Sequence, residues 1–295
     1  MSEALLSTPK DPTINFAIGP NCPVRCEGCY NHFGETAQLG GLLTAEQVIE
    51  FAADARAEGI TQTTLSGGDP LFHPEIVPIV SGLKDLGMKI KLDTVGTAFL
   101  DDVPIVYKGR GIASKVEVTE IAPHVDFVNV PLDGSKQETV AHFRRGRANL
   151  LAETKAVAGL LRKAGIDFGF NTVANARNLD ELPAMRDIAE EEGAVEWQIF
   201  EYDPDGPNPT NKKSSLQLAP GKFDQATKDL VSTSGRLRIV GKSLETRSGA
   251  YFLVDDSGLA WKPAGGGFRH VLGSITTDRA QVLVALRQHI EQLQQ

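Results

Sequence analysis

The sequence predicts an α/β fold, a partial (β/α)6 barrel followed by a C-terminal α+β extension. Short β-branched or apolar runs alternate with longer amphipathic stretches six times between residues 13 and 202, the pattern of strands alternating with helices. Such alternation implies parallel strands joined by right-handed crossovers, and six units are too few to close an eight-stranded barrel. At residue 203 the composition shifts to DPDGPNPTNKKSS, a stretch of Pro, Gly, Asn and Ser that reads as a linker or binding loop. The expected organisation is a core over residues 1–205 and an extension over 206–295 covering the substrate site.

Each element has its own signal. Residues 13–18 read as the first strand, and Thr44 caps a helix running to about residue 58, with Val48, Phe51, Ala52 and Ala55 on one face. The strand at 61–66 ends in the Gly-Gly-Asp-Pro turn at 67–70. A helix at 73–86 and a strand at 89–94 follow. The connection over 98–124 is long for an α/β unit and predicts an insertion near the mouth. Strands at 125–132, 167–173 and 195–202 enclose helices at 149–164 and 178–192. In the extension, 236–240 and 251–254 are strand candidates, DDSG at 255–258 resembles a hairpin turn, and 279–294 forms a closing amphipathic helix.

Composition excludes several classes. A net charge of −8 argues against nucleic acid as a partner, because phosphate binding wants a basic face. No apolar run approaches the ~20 residues that cross a bilayer. The N-terminal MSEALLSTPKDP has no hydrophobic core of a signal peptide, and the expectation is a cytoplasmic protein that takes a small-molecule substrate. The three cysteines, Cys22, Cys26 and Cys29, lie within eight residues. An odd, clustered set is a poor disulfide framework.

The run Cys22-Pro-Val-Arg-Cys26-Glu-Gly-Cys29-Tyr30 follows the first strand. Thiolates so spaced can curl around one inorganic cluster and leave a fourth coordination position vacant. A structural zinc site takes four protein ligands, and His32 is the residue that could complete one. A metal-binding scaffold without catalysis is the corresponding non-enzyme reading. The C-x3-C-x2-C spacing after the first strand of a β/α alternation resembles the radical S-adenosylmethionine (radical SAM) superfamily. The resemblance implies a [4Fe–4S] cluster whose open iron chelates S-adenosylmethionine. It also implies an electron donor such as flavodoxin or ferredoxin, and chemistry by a 5′-deoxyadenosyl radical.

Further matches fall at expected strand ends. Ser66-Gly67-Gly68-Asp69-Pro70 stands where the family carries Gly-Gly-Glu-Pro. Two glycines let backbone approach a ligand, and Asp69 can hold a methionine ammonium with a shorter arm than Glu. Leu92 to Thr97, containing Thr94, resembles the family's third strand end. Val130-Pro131-Leu132-Asp133-Gly134-Ser135 resembles its Ser-Leu-Asp-Gly signature, with Pro131 in place of the serine. Asn171 matches a strand-five pattern, Gln198 and Tyr202 lie where strand six meets the adenosine, and Tyr30 is placed to pack beside the adenine. The resemblance thus implies cofactor contacts from Tyr30, Gly67, Gly68, Asp69, Thr94, Asp133, Asn171, Gln198 and Tyr202.

With no other cysteine, the expectation is a single-cluster enzyme. Residues 242–258 resemble single-cluster members, among them viperin-like nucleotide enzymes and radical epimerases or decarboxylases of antibiotic biosynthesis. Glu201, Asp203 and Asp205 place three carboxylates after strand six, suiting a cationic amino-sugar substrate. Lys212, Lys213, Lys242, Arg247, Arg144, Arg145 and Arg147 are the counterweight, able to clamp phosphate or the cofactor carboxylate. The favoured outcome is aminoglycoside epimerisation. Dehydrogenation, deamination, decarboxylation or a viperin-like dehydration are the alternatives. Aminoglycoside epimerases return hydrogen from a thiol, which this chain lacks outside the cluster motif. Ser248 is the candidate position of a missing cysteine donor. Three openings remain: a Cys→Ser variant, an outside reductant, or a reaction other than epimerisation.

Overall fold

The computed structural model describes residues 12–27, 29, 42–204, 214–233, 236–247, 249–264 and 268–294. Strand β1 (Thr13–Ala17) is followed by α1 (Ala45–Ala57), which begins in a capping box: Thr44 accepts from the Gln47 backbone, and the Gln47 side chain accepts from Thr44. Its buried face is the expected Val48, Phe51, Ala52 and Ala55, with Ala45 at the start. The alternation continues through β2 (Gln62–Ser66), α2 (Ile76–Asp85), β3 (Lys89–Asp93) and β4 (Phe127–Pro131). It closes with α3 (Leu150–Lys163), β5 (Phe168–Ala174), α4 (Leu182–Glu192) and β6 (Glu196–Glu201).

These six strands lie side by side in chain order and pair in parallel. The later chain joins the same sheet. After α5 (Lys222–Thr233), β7 (Arg238–Lys242) pairs in parallel with β6. At the other edge β8 (Phe252–Val254) pairs in parallel with β1 and leads into the antiparallel strands β9 (Leu259–Pro263) and β10 (Arg269–Ser274). The result is an open ten-stranded sheet, ordered β7-β6-β5-β4-β3-β2-β1-β8-β9-β10. Residues after 205 therefore extend the sheet at both edges. The closing helix α6 (Arg279–Leu293) rests on α1, where Arg279 pairs with Glu50 at 3.0 Å and with Asp54 at 2.5 Å. Among the described residues no helix is long and apolar enough to cross a membrane.

Side chains alternate across a strand, and here the two faces differ in kind. Ile14, Phe16, Leu65, Ile90, Leu92, Val128, Val130, Phe168, Phe170, Trp197 and Ile199 share one apolar core with residues of α1 to α6. Phe16 and Phe51 meet edge to face at 6.2 Å within it. Each such aromatic burial stabilises by roughly 1.5–3 kcal/mol. The opposite, inner face carries Asn15, Thr64, Lys91, Asp93, Asn129, Asn171, Gln198 and Lys242, linked by the strand register.

The long 98–124 connection forms a small ribbon, Val103–Pro104 with Ile112–Ala113, and a short helix, Val118–Ile121. It folds back on the first cysteine: Cys22 N–H donates to Tyr107 O at 3.2 Å, and the Val106 and Tyr107 N–H groups donate to Cys22 O at 2.9 and 3.1 Å.

One buried residue in α6 gives a testable pH dependence. His289 is 1% exposed, lies 5.8 Å from the Phe252 ring, and among the described residues has no hydrogen-bond partner at either ring nitrogen. Burial, helped by Lys262, pushes its pKa from 6.5 down to about 4. The unfolded chain takes up this proton first as pH falls, so the His289 contribution to stability is complete above pH 6.5 and is lost progressively toward pH 4. In thermal melts, His289→Leu is expected to flatten this acid limb and to gain about 1–3 kcal/mol at low pH by removing unpartnered polar atoms. An unchanged acid limb would place the pH dependence elsewhere.

Candidate functional site

The three cysteines enter the site by different routes. Cys22 is buried at 6% exposure, while Cys26 and Cys29 are half-buried. Residues Arg25–Cys26 form a two-residue antiparallel ribbon with Arg144–Arg145, which aligns Arg144 beside Cys26. The Arg144 Nη1 then donates to Cys26 Sγ at 3.2 Å, and its Nε is ion-paired to Asp133 Oδ2. Asp133 is itself held by the Val173 N–H, which donates to Oδ1 at 2.7 Å, and is 1% exposed. A chain of contacts thus runs from strand β5 through Asp133 and Arg144 to a thiol.

Electrostatics explain why a cation stands there. Burial pushes the Cys22 thiol well up, with Cys26 and Asp69 adding to the shift. Burial likewise raises Cys26, and Arg144 opposes it. The thiolate, not the thiol, ligates metal, so a buried ligand set needs nearby positive charge. Burial opposes the charge of Arg144, and Asp133 with the Cys26 thiol more than offsets that cost, leaving its pKa above the ordinary value. Among the described residues, no three His, Cys, Asp or Glu side chains converge as ligands of a single metal ion.

The Gly-Gly-Asp turn has a physical role the sequence did not reveal. Gly67 has φ +146°, and a Cβ there would lie 2.6 Å from Gly19 O. A Cβ on Gly68 would overlap the carbonyl oxygens of Pro20 and Asn21. The Gly68 N–H donates to Gly19 O at 2.5 Å and the Asp69 N–H to Asn21 O at 2.7 Å. The close approach that these glycines admit is to the chain's own backbone, at the root of the cysteine loop.

Asp69 is similarly committed. It is 1% exposed; its Oδ1 accepts from Leu71 N–H at 3.1 Å and from the Thr94 hydroxyl at 2.6 Å, and its Oδ2 accepts from Val95 N–H at 2.9 Å. Burial raises its pKa, and these hydrogen bonds pull the other way. Thr94, Leu71, Val95 and Gly96 all act on this buried carboxylate to favour its charged form. Thr94 is bound on both sides, accepting from Gly96 N–H at 2.9 Å as well. Asp69 and Thr94 together brace the ends of β2 and β3.

The remaining expected residues divide. Among the described residues, Asn171 Oδ1 is buried without a hydrogen-bond partner, as is Asn129 Oδ1 on the neighbouring strand, so both are unsatisfied acceptors. Gln198 donates to Glu196 Oε1 at 2.7 Å, and Glu196 also pairs with Arg238 at 2.9 Å. Tyr202, 2% exposed, packs with Phe143 and Leu216, with Cys26 against the cluster. Glu201 accepts from Leu244 N–H at 2.9 Å, and its carbonyl accepts from Arg247 Nη2 at 2.6 Å. Asp203 is half-buried just beyond β6. Arg145 and Arg147 pair with Glu27 at 3.0 Å and Glu153 at 2.6 Å. Tyr30, His32, Asp205, Lys212, Lys213 and Ser248 lie outside the described residues.

Sequence reasoning passed over Asp93, Phe200 and Tyr251. Asp93 accepts from Asn129 Nδ2 at 2.8 Å, and burial raises its pKa. Burial pushes Tyr251 up to about 12, with Arg247 opposing. The signal for Asp93 was present in KIKLD, whose polar positions 89, 91 and 93 alternate with apolar ones; that spacing puts all three on one face. For Tyr251 no local signal exists.

Comparison with known proteins gives the site its context. A 28% identical relative, the AdoMet-dependent heme synthase of Methanosarcina barkeri, aligns over 65% of this chain and 51% of its own length. The S-adenosylmethionine-dependent nucleotide dehydratase of Lacinutrix mariniflava is 23% identical over 87% of this chain and 52% of its own. The chain spans about half the length of the curated relatives it matches. In fold it is similar to Streptococcus suis SuiB bound to S-adenosylmethionine, with a TM-score of 0.69 at 12% identity, covering 93% of this chain and 66% of that one. The model of the family described as the radical SAM superfamily matches residues 16–188. With the cysteine loop where that family's motif stands, the chain belongs to the radical SAM superfamily, whose members use a [4Fe–4S] cluster and S-adenosylmethionine.

Proposed function

We propose that this chain is a radical SAM enzyme that abstracts hydrogen from a small molecule received on the inner face of the sheet, with Cys22, Cys26 and Cys29 as the cluster ligands. The observation that carries the reading is the anchoring of the cysteine loop at the carboxyl ends of β1 and β2, above a face lined by polar side chains. Carboxyl ends of strands are where such folds concentrate chemistry. When bound, the cluster and cofactor supply a 5′-deoxyadenosyl radical.

The chain's own residues prepare that chemistry. Asp133 orients Arg144, whose guanidinium offsets negative charge on Cys26. The Asp69 carboxylate, in the turn beside the cysteine loop, supplies negative charge that suits the methionine ammonium, and the unpartnered Asn171 Oδ1 suits a hydroxyl or N–H of the cofactor or substrate. A one-electron donor of the flavodoxin or ferredoxin kind would reduce the cluster. Epimerisation of a cationic amino sugar is a second reading, favoured by the half-buried Asp203 beyond β6 and by Asp93 on the inner face. The Lacinutrix relative supports a nucleotide-like substrate instead.

After anaerobic reconstitution the chain is expected to carry about four irons, as a [4Fe–4S] centre requires, and to release 5′-deoxyadenosine. Cys22→Ala, Cys26→Ala and Cys29→Ala should each abolish both; cofactor cleavage surviving in any of them contradicts the ligand assignment, and one zinc without sulfide removes the radical reading. Asp69→Ala removes the charge together with the brace and should retain iron while weakening S-adenosylmethionine binding by roughly 1.5–3 kcal/mol, the worth of a hydrogen bond to a charged group. Unchanged affinity in a calorimetric titration would restrict Asp69 to bracing. With an aminoglycoside in D2O, an epimer carrying solvent deuterium supports the second reading, and turnover of nucleotides alone excludes it.

A further inference from the structure

We propose that Lys242 and Arg247, gathered at Phe200, form an oxyanion-binding subsite for the substrate, and that the substrate is a small polyhydroxylated molecule bearing a phosphate or carboxylate. This rests on the inner face being the substrate face.

The placement is built by the sheet. In the parallel pair β6 and β7, Phe200 stands opposite Lys242, at the carboxyl ends of both strands. Lys242 Nζ lies 5.0 Å from the Phe200 ring centroid and the Arg247 guanidinium 5.9 Å from it. An aromatic face attracts cations but accepts no conventional hydrogen bond. Among the described residues, Lys242 Nζ has no hydrogen bond and no ion pair within 4.0 Å; the ring is its close partner.

Among the described residues, the nearby carboxylates make their close contacts elsewhere and act on Lys242 only from a distance. Asp93 holds Asn129 Nδ2 at 2.8 Å, and Glu196 holds Arg238 and Gln198. A half-buried ammonium with its donors unused is costly, and an oxyanion of the substrate removes that cost. Arg247 spends one Nη2 proton on Glu201 O at 2.6 Å and its Nε on Ser243 O at 3.4 Å, which leaves further donors of a planar fork suited to phosphate or carboxylate. On the same face, the buried Oδ1 atoms of Asn129 and Asn171 need donors. Hydroxyl groups on the same ligand would supply them.

Titration agrees with this geometry. Burial pushes Lys242 down to about 8, while Asp93 and Glu196 act to raise it and Lys91 and Arg247 to lower it further; Tyr251 faces Asp93 and Arg247. The protonated form binds the anion, so affinity is full below about 8 and falls above it as the ammonium loses its proton.

Titration calorimetry of the full chain without its cluster, using tripolyphosphate, citrate and spermidine as probes, tests the proposal independently of radical chemistry. Tripolyphosphate or citrate is expected to bind, and Lys242→Met to weaken that binding at least about tenfold, which is the loss of one charged contact. Lys242→Arg should restore most of it. Wild-type affinity should drop on going from neutral pH to about two units above the Lys242 pKa, where the lysine is almost wholly neutral. Binding of tripolyphosphate alone identifies a phosphorylated substrate, and of citrate alone a carboxylated one. The proposal is overturned if neither anion binds, if spermidine binds more tightly than both, or if Lys242→Met binds as the wild type does. Should Lys242→Met fail to fold, Arg247→Gln and the wild-type pH series decide the matter. Loss of iron in the cysteine variants with anion binding intact would separate failure of the cluster assignment from failure of this one.

Discussion

The site depends on one close approach of backbone to backbone. Gly67 and Gly68 let the turn after β2 lie against Gly19, Pro20 and Asn21, with two hydrogen bonds of 2.5 and 2.7 Å across the contact. Any side chain at Gly68 would occupy the space of the Pro20 and Asn21 carbonyls. The cysteine loop therefore leaves β1 in a direction set by β2. From the far side, Tyr107 of the 98–124 connection holds Cys22 by its backbone. Asp69 extends the same constraint to β3 through Thr94 and Val95. The start of the loop that bears the three thiols is thus fixed by backbone hydrogen bonds on two sides.

Charge is managed by a second, independent arrangement. Two buried or nearly buried ions, Asp133 and Arg144, would be expensive apart. Together they satisfy each other, and each makes a further contact: Asp133 to the Val173 N–H, Arg144 to the Cys26 sulfur. Breaking this pair by removing one partner leaves a buried charge uncompensated, whereas the thiol loses its cationic neighbour. Arg144 is held in place by the ribbon with Cys26, so backbone pairing and side-chain pairing agree.

The sheet separates stability from chemistry by its pleat. One face packs a continuous apolar core under six helices; the other keeps amides, carboxylates and ammonium groups in rows across neighbouring strands. Strands β7 and β8 are contributed by the late chain to opposite edges, and β7 brings Lys242 to the inner face beside Phe200. The late chain therefore extends both edges of the sheet formed by the six core strands.

Strand and helix order, the parallel arrangement and the cysteine motif were legible in the sequence, because each rests on local spacing: alternation over five residues, a capping threonine before an amphipathic run, thiols with three and two residues between them. The positions of Gly67, Gly68 and Asp69 were legible too, but not their partners. A glycine pair announces close approach without saying to what, and the answer, Gly19 to Asn21, lies about 48 residues earlier along the chain. The contact of Arg144 with Cys26 spans 118 residues and that of Asp69 with Thr94 spans 25. Lys242 meets Phe200 only because β7 pairs with β6 in one register; a shift of one residue would turn its side chain to the other face. Local chemistry determined which elements form and where reactive residues sit along them. The tertiary structure decided which side chains meet, because register, edge order and the folding back of the long connection are settled by the packing of the whole sheet.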